Sequence, residues 1–314
     1  MFNNNIFLEI AKQVGQPIDP SLPVPFELSA IADVMTAEVG ERVWRYTEFD
    51  PNYGDAIYAV DGSGTINAVK KTPTGDALIT FSGLSSKLEY VEIDEILGET
   101  DNTQVLARRK ASITRSMDKK EVKNIMDAIV DLTAGKFPGV LPEVVAVTGL
   151  DLYDAILEMK HLVEDYGDKF VLLCGSTVKE KLDTYDKDNV AEFEYRIGMY
   201  ETLKSLGIEV IKVFGQLNSV NLLAKKKMIL IARNSRIAEG KPVKFVRRKI
   251  SADIAKLMGA TVETAQRAVI VNPTPVLTDG GTKTLAYGIY GYESNVMTIT
   301  NPKAICLCDA TDIL

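Results

Sequence analysis

The 314-residue sequence contains few of the side chains on which most catalysis and metal binding depend. His161 is the single histidine, so a Ser-His-Asp or Cys-His centre would need that one residue, and a multi-histidine metal site is excluded. Because it lies in the predicted helix DLYDAILEMKHLVEDYG, we expect a structural role for it. Three cysteines are too few for a disulfide framework, and Cys174, Cys306 and Cys308 are interpreted as buried thiols.

Long apolar runs and a basic leader are also missing. No stretch reaches eighteen consecutive apolar residues, and the opening MFNNNIFLEIAKQ lacks a basic segment followed by an apolar one. The sequence therefore predicts neither a membrane span nor a secretory signal, and the cytoplasm is the expected compartment. With 46% hydrophobic and 25% charged residues, the chain can bury a core as one elaborate domain, two simpler ones, or one domain with long extensions.

Charge is spread unevenly along the chain. The net charge is -10 in residues 1–100 and +5 in residues 101–250, against a total of -7. This asymmetry predicts that the acidic third pairs with the basic middle, within one chain or between copies. Two basic runs, within 107–120 and 224–249, contain almost no aromatic residues, so stacking on single-stranded nucleic acid is not supported. The alternation in KPVKFVRRK predicts basic side chains on one side of a strand, namely Lys244, Arg247, Arg248 and Lys249.

The first part of the chain resembles an arm followed by a hairpin. A short apolar helix is predicted at 6–14, an extended proline-rich segment at 15–26, and an amphipathic helix carrying Phe26, Ile31, Val34 and Met35 that ends at Gly40. Period-two strands RVWRY, DAIYAVD, TINAVKK, DALITFS and LEYVEI follow, with turns at 61–64 and 72–76. Few large apolar residues lie between positions 59 and 77, so this hairpin needs a partner surface.

Residues 101–134 predict either one long helix or two abutting helices, about 50 Å long if unbroken. Asp118 and Glu121 are interpreted there as a capping pair. The apolar positions at helical spacing are Val122, Ile125, Met126, Ile129 and Val130. From 141 to 250 helices alternate with apolar strands, which is typical of an α/β layer with a covered sheet. The last sixty residues return to strands: AVIVNPTPVL, TLAYGIYGYE, VMTITN and AICLC.

One turn is similar to a ligand-binding turn. In LLCGSTVKEKL a strand leads through Gly175 into a helix, where backbone amides could bind phosphate. Neither phosphate-binding fingerprint is met, and Ser176 is interpreted as an ordinary helix cap. The carboxylate groups at 165–168 and 183–188 are interpreted as solvated loops. No catalytic residue, metal site or cofactor is predicted.

Taken in order, these parts resemble the subunit of a tailed-bacteriophage capsid with the Hong Kong 97-type fold, an α+β fold. The resemblance divides the chain into an N-terminal arm (1–49), an extended β-hairpin loop (50–98), a peripheral domain with a spine helix (99–144), an α/β axial domain (145–270) and a returning β segment (271–314) that completes both domains. It implies candidate inter-subunit contacts at Lys70, Lys71, Lys87, Arg108, Arg109, Lys110 and Arg115.

The implied function is that of a major capsid protein, not an enzyme, that self-assembles through pentamers and hexamers into an icosahedral head shell enclosing double-stranded DNA. The implied partners are further copies of the chain, separate scaffolding, portal and decoration proteins, and packaged DNA held by weak non-specific contact, with no membrane. The expected location is the virion, assembled in the host cytoplasm. Two alternatives stay open: an encapsulin-type compartment with the same subunit fold, and an α/β enzyme with a ligand site at the Gly175 turn.

Overall fold

A computed structural model of the chain describes residues 26–39, 41–48, 75–80, 82–85, 89–92, 102–130, 143–188, 199–235, 240–251, 260–264, 266–277 and 283–314. Within these residues there are sixteen strands and four α-helices. The strands are β1 (Ala32–Ala37), β2 (Val43–Glu48), β3 (Gly75–Thr80), β4 (Ser82–Ser85), β5 (Glu89–Glu92), β6 (Glu143–Val145), β7 (Lys169–Cys174), β8 (Ile208–Lys212), β9 (Gln216–Leu217), β10 (Val220–Asn221), β11 (Lys227–Arg233), β12 (Val243–Arg248), β13 (Ala260–Thr264), β14 (Arg267–Leu277), β15 (Lys283–Ile299) and β16 (Ile305–Asp309). The helices are α1 (Asn102–Val130), α2 (Leu152–Val163), α3 (Ser176–Asp188) and α4 (Met199–Ser205).

A five-stranded sheet has the order β6-β16-β11-β7-β8. Its strands alternate cleanly between two cores: in β7, Leu172 and Cys174 pack with α2, α3 and α4, whereas Val171 and Leu173 pack on the opposite face. Both faces of the sheet are therefore covered. This confirms the prediction from the continuous apolar run FVLLC, because a strand buried on both faces has no need of polar alternation.

A seven-stranded sheet has the order β1-β12-β15-β14-β13, and β4 and β5 also pair with β15. The segments TLAYGIYGYE and VMTITN, predicted as two strands, form the single 17-residue strand β15. The polar residues between them do not form a turn. Glu293 pairs with Arg267 of β14, and Asn295 pairs with Arg247 of β12, so the ladder continues through this polar stretch.

The helix predicted over residues 26–40 is wrong. A short 3₁₀ turn at Leu28–Ala30 leads into β1, which pairs in parallel with β12 from Ala32 opposite Val243 to Ala37 opposite Arg248. The apolar spacing that suggested a helix does not form one buried face, since Val34 is 39% exposed while Ile31 is fully buried. Pairing with β12 satisfies the backbone of this segment in place of a helical ladder.

Helix α1 is one unbroken helix of 29 residues, about 43 Å long at 1.5 Å per residue. Its apolar face, including Ile125 and Ile129, packs in a core shared with Ile229 of the five-stranded sheet and Phe245 of the seven-stranded sheet. The helix therefore joins the two sheets. Farther toward its N-terminus it approaches β15 at Gly291, where a Cβ atom would lie only 2.3 Å from the sulfur of Met117.

Strands β2 and β3 form an antiparallel ribbon, with Val43 opposite Thr80 and Glu48 opposite Gly75. The chain leaves on β2 and returns on β3, which confirms the base of the predicted hairpin. Among the residues described, the ribbon joins neither large sheet. The predicted strands DAIYAVD and TINAVKK, the predicted turn at 61–64 and the arm before residue 26 lie outside the described residues. Of the turn predicted at 72–76, the last two residues, Gly75 and Asp76, are part of strand β3.

The sheets divide the chain differently from the predicted boundaries. After Arg233 the chain leaves the five-stranded sheet, and β12 and β13, predicted within an axial domain over 145–270, belong to the seven-stranded sheet. The C-terminal β16 returns to the five-stranded sheet between β6 and β11, as the prediction of a returning segment requires. In the part of the chain that the structure describes, no helix is long and apolar enough to cross a membrane.

Candidate functional site

The seven candidate contact residues fall in two regions. Lys70, Lys71 and Lys87 lie outside the described residues. The four candidates on α1 lie in its N-terminal half, and each of them has an interaction partner: Arg108, Arg109, Lys110 and Arg115. Arg115 also lines an open cleft of about 540 Å³ between α1, β12 and the segment before β1. Whether any of these seven residues contacts a second copy therefore stays a prediction.

The basic strand β12 pairs with acidic residues in β1 and directly after it. Lys244 Nζ lies 2.5 Å from Asp33 Oδ2, and Lys249 Nζ lies 2.7 Å from Glu38 Oε1. Arg248 Nη1 donates a hydrogen bond of 2.8 Å to a backbone carbonyl oxygen, that of Glu41. The predicted attraction between the acidic third and the basic middle is thus used, for these residues, within one chain.

The alternation in KPVKFVRRK predicts that the basic side chains of β12 lie on one side of the strand. This prediction is wrong. A strand has a period of two, so Lys244 and Arg248 point to one face and Arg247 to the other. Arg247 lies on the same face as Phe245, with its guanidinium carbon 5.4 Å from the ring centroid. On that face Arg247 contacts Glu121 of α1, so its side chain lies between the strand and the helix.

Arg247 belongs to a charge cluster made of Asp118, Glu121, Arg247, Arg267 and Glu293. We call it the buried charge cluster because its two glutamates are inaccessible to solvent, whereas the side chains of Asp118 and Arg247 are 36% and 23% exposed. Arg247 binds Glu121 with two hydrogen bonds, 2.9 Å from Nε and 2.6 Å from Nη2. Arg267 contacts all three carboxyl groups, at 2.7 Å to Asp118, 2.8 Å to Glu293 and 3.2 Å to Glu121. Glu121 and Glu293 are 1% and 0% exposed. The cluster therefore links four elements. Arg267 of β14 contacts α1 and β15, and Arg247 joins β12 to α1.

The register of the sheet positions this buried charge cluster. Arg267 on β14 stands opposite Glu293 on β15, and Asn295, two residues farther along the same face, stands opposite Arg247 on β12. Asn295 Nδ2 donates a 2.6 Å hydrogen bond to Glu293 Oε1. The helix adds Asp118 and Glu121, which lie one turn apart on the same face.

This arrangement corrects the capping interpretation of Asp118 and Glu121, since both lie well inside α1. Their pattern, an acid followed three residues later by glutamate, is the signature of a helix start, but the helix runs through it. Sequence reasoning also missed the roles of Arg267 and Glu293. The available signal was a charged residue at each of two predicted strands, Arg267 beside AVIV and Glu293 after AYGIYGY, since an unpaired charge is expensive to bury.

Burial changes the titration of the cluster. Burial, together with the hydrogen bond and negative charge of Glu121, raises the pKa of Glu293 to about 7, while Arg267 opposes the shift. For Arg267 burial acts to lower the pKa, but the three carboxylates outweigh it and hold the pKa above its usual value. The arginine is therefore always charged, and proton exchange is confined to the carboxyl groups.

The Gly175 turn has no room for a ligand. The backbone N–H groups of Thr177 and Val178, which a phosphate would need, donate to the carbonyl oxygen of Lys225 at 3.1 and 3.4 Å. A Cβ atom on Gly175 would lie 2.3 Å from the carbonyl oxygen of Ala224. The turn is thus filled by the chain's own backbone, and the site on which the enzyme alternative depends is closed.

Neighbouring residues of that turn are structural. The Gly175 carbonyl accepts the first helical bond of α3 from Lys179 N at 3.0 Å, so Gly175, and not Ser176 as predicted, holds the capping position. Cys174 is fully buried, and burial raises the pKa of its thiol to about 12. Cys306 and Cys308 are also buried, which confirms the interpretation of all three as buried thiols.

The remaining sequence candidates are surface features. His161 is 63% exposed at the side chain, with Nδ1 3.3 Å from Glu164. Asp168 accepts a 2.8 Å hydrogen bond from Ser235 N, as expected for a loop carboxylate. Residues 183–188 were predicted as a solvated loop, but they are the end of α3. Among the residues that the structure describes, no group of three or more His, Cys, Asp or Glu could hold a metal ion.

No protein-family model matches the chain, and no curated protein matches it in sequence. Solved structures do match. The virus-like particle from Pyrococcus furiosus covers 90% of this chain and 92% of its own at 16% identity, with a TM-score of 0.52. The capsid of the cyanophage P-SCSP1u covers 95% and 91% at 12% identity and a TM-score of 0.53. The holo-SrpI encapsulin complex from Synechococcus elongatus covers 97% and 95% at 12% identity and a TM-score of 0.50.

The chain has the Hong Kong 97-type fold. The matches extend over nine tenths or more of the chain. The resemblance found in the sequence is confirmed at the level of the fold.

Proposed function

We propose that the protein is the subunit of a self-assembling shell and, more specifically, the major capsid protein of a tailed bacteriophage, forming the icosahedral head around double-stranded DNA. The observation that carries the proposal is a capsid-type fold matched over 95% of the chain. The same proposal assigns the five-stranded sheet to the axial domain, and the seven-stranded sheet with α1 to the peripheral domain.

The β2–β3 ribbon supports a shell-forming role. Two strands paired only with each other are marginally stable in water, and among the described residues this ribbon joins neither large sheet. The sequence between 59 and 77 has few large apolar side chains. A neighbouring copy offers the surface that such a ribbon needs, and repeated contacts of this kind around symmetry axes close a shell.

Within this proposal Lys70, Lys71 and Lys87 would contact a neighbour from the hairpin, and Arg108, Arg109, Lys110 and Arg115 from α1. The basic strand β12 contributes less to contacts with a neighbouring copy than its sequence suggests, since Lys244, Arg248 and Lys249 already have partners in their own chain. Scaffolding, portal and decoration proteins are the further partners proposed, and DNA is held only by weak non-specific contact.

The test removes the hairpin tip. Replacing residues 61–74 by a short Gly-Ser turn, which leaves strand β3 intact, should give a soluble, cooperatively melting subunit that forms no closed particles. Light scattering and electron microscopy measure both properties, with any needed scaffold present. As a matched control, Ser219→Gly in the β9–β10 turn should assemble normally, because Ser219 already has a φ of 65° that glycine adopts freely. Normal particles from the shortened chain would refute the role assigned to the hairpin.

An encapsulin-type compartment is the second candidate, favoured by the similarity to the encapsulin complex over 97% of the chain. The content of purified particles separates the two. A phage head should contain DNA that resists nuclease until the shell is opened, whereas an encapsulin should contain a folded cargo protein. A small discrete oligomer whose melting temperature shifts with a ligand would instead return the enzyme alternative and contradict both shell functions.

A further inference from the structure

Two acids of the buried charge cluster are held by the same guanidinium, because Arg267 contacts Glu121 at 3.2 Å and Glu293 at 2.8 Å. The carboxyl groups of Glu121 and Glu293 lie within hydrogen-bonding reach of each other, and both are essentially inaccessible to solvent. An ionised carboxylate can only accept hydrogen bonds. A hydrogen bond between these two side chains therefore requires a proton on one of them.

The charges around this pair do not balance without that proton. The cluster holds three carboxyl groups and two guanidiniums, so full ionisation leaves one uncompensated negative charge. Arg247 donates two hydrogen bonds to Glu121, and Arg267 is shared among all three acids. Two carboxylates in contact inside a protein cannot both ionise at low cost, and one of them keeps its proton.

The surroundings add few other charges. Strand β4 pairs with β15 so that Leu84 stands opposite Glu293 in the register, and the four residues of β4 include no titratable side chain. Glu27 and Arg115 border the cleft beside Glu121, at the edge of the cluster. The groups that face the pair are Asp118 from α1, Arg247 from β12, Arg267 from β14 and Asn295 from β15.

We propose that Glu121 and Glu293 share one proton and form a pH-sensitive clamp that holds α1 against the seven-stranded sheet. With the proton bound, helix and sheet are joined by a carboxyl–carboxyl hydrogen bond. When it leaves, the same contact becomes a repulsion between two buried carboxylates beside a single shared arginine.

The cleft supplies a route for the proton. It reaches Asp118, Glu121 and Arg247, whereas Glu293 lies behind them and is fully buried. Within the proposal, protons reach Glu293 from this cleft, past Glu121. The clamp can respond to pH without opening the core.

The direction of the effect follows from linkage. Glu293 has a pKa of about 7 in the folded protein because of its burial, against 4.5 for an ordinary glutamate. Between these values the unfolded chain loses the proton while the folded chain keeps it. The folding equilibrium constant should then fall about tenfold per pH unit from this one group, and its contribution should level off above pH 7.

The experiment measures urea unfolding of the full-length, unassembled subunit from pH 5 to pH 8, compared with Glu293→Gln. Glutamine keeps the shape and donates a hydrogen bond to Glu121, but it does not titrate. The unfolding free energy of the variant should therefore lack the pH dependence that one bound proton contributes. Glu201→Gln, at an exposed position on α4, is the matched control and should titrate as the unaltered protein. Identical slopes for the unaltered protein and Glu293→Gln would overturn the proposal.

A second measurement does not depend on the variant's folding. Infrared spectra of the unaltered protein should show a protonated carboxyl band that persists above pH 6, where ordinary carboxyls are ionised, and disappears near pH 7. Glu121→Gln should remove this band too, because its amide donates the hydrogen bond that the proton otherwise provides. If the unaltered protein shows no such band above pH 6, the two acids hold no shared proton and the clamp does not exist.

Discussion

Substituting Gly291 by alanine tests how closely α1 packs on the seven-stranded sheet. The added Cβ would lie 2.3 Å from Met117 Sδ and 2.9 Å from Ile113 Cγ2, both on buried side chains of α1. Methionine can swing its sulfur away, but β-branched isoleucine is restricted to few rotamers, so the helix must shift or the strand must bend. Overpacking of this kind costs about 1–3 kcal/mol.

Part of that loss is offset in the unfolded state. Alanine restricts the unfolded chain more than glycine does, which stabilises by about 0.4–1 kcal/mol where the backbone angles permit it. The backbone at Gly291 is not left-handed, so this term applies. We expect Gly291→Ala to lower the free energy of unfolding by about 1–2 kcal/mol, measured by urea unfolding of the unassembled subunit.

A double-mutant cycle gives the sharper test. Met117→Ala alone should destabilise by about 2–5 kcal/mol, because it leaves a cavity under β15. In that background the nearest obstacle is gone, and Gly291→Ala should cost at least about 1 kcal/mol less than in the unaltered chain. Gly83→Ala on β4, where the nearest atom to the new Cβ is 3.3 Å away on Tyr292, serves as the control. Equal costs of Gly291→Ala in both backgrounds would refute the close approach.

Two further predictions concern β12 and the thiols. Arg247→Ala should destabilise the subunit by about 3 kcal/mol because it strips a buried carboxylate of its bidentate partner, whereas Lys249→Ala should cost less than about 1 kcal/mol because its pair with Glu38 is exposed. Similar midpoints of urea unfolding for the two variants would contradict this ranking. The three cysteines should not react with a disulfide reagent at pH 8 until the protein unfolds, since burial raises the thiol pKa to about 12, 12 and 11. A native thiol that reacts as fast as free cysteine would show that the cores open readily.

The elements predicted well from sequence are those whose burial is continuous. β7 and β11 are runs of apolar residues covered on both faces, and their composition alone identifies them. The long helix was also predictable, since Ile125, Met126 and Ile129 repeat at helical spacing and neither glycine nor proline interrupts it. In these places local propensity and tertiary packing favour the same structure.

Predictions failed where a distant partner decides the structure. The segment before Gly40 has apolar spacing compatible with a helix, yet β12, more than two hundred residues later, makes it a strand. Glu293 and Arg267 are 26 residues apart on neighbouring strands, and only their register brings them together. No local pattern encodes that register, so the buried charge cluster could not be found from the sequence alone.

The position of β16 has a consequence for synthesis on the ribosome. This strand lies between β6 and β11, although 71 residues separate the end of β11 at Arg233 from its own start at Ile305. At about 5–20 residues per second, translation of that stretch takes roughly 4–14 s. For that time β11 presents an open edge and β6 has no strand beside it. The nascent chain must avoid aggregation during this interval, because the five-stranded sheet still lacks β16 between β6 and β11. Chaperones have those seconds in which to bind the incomplete sheet.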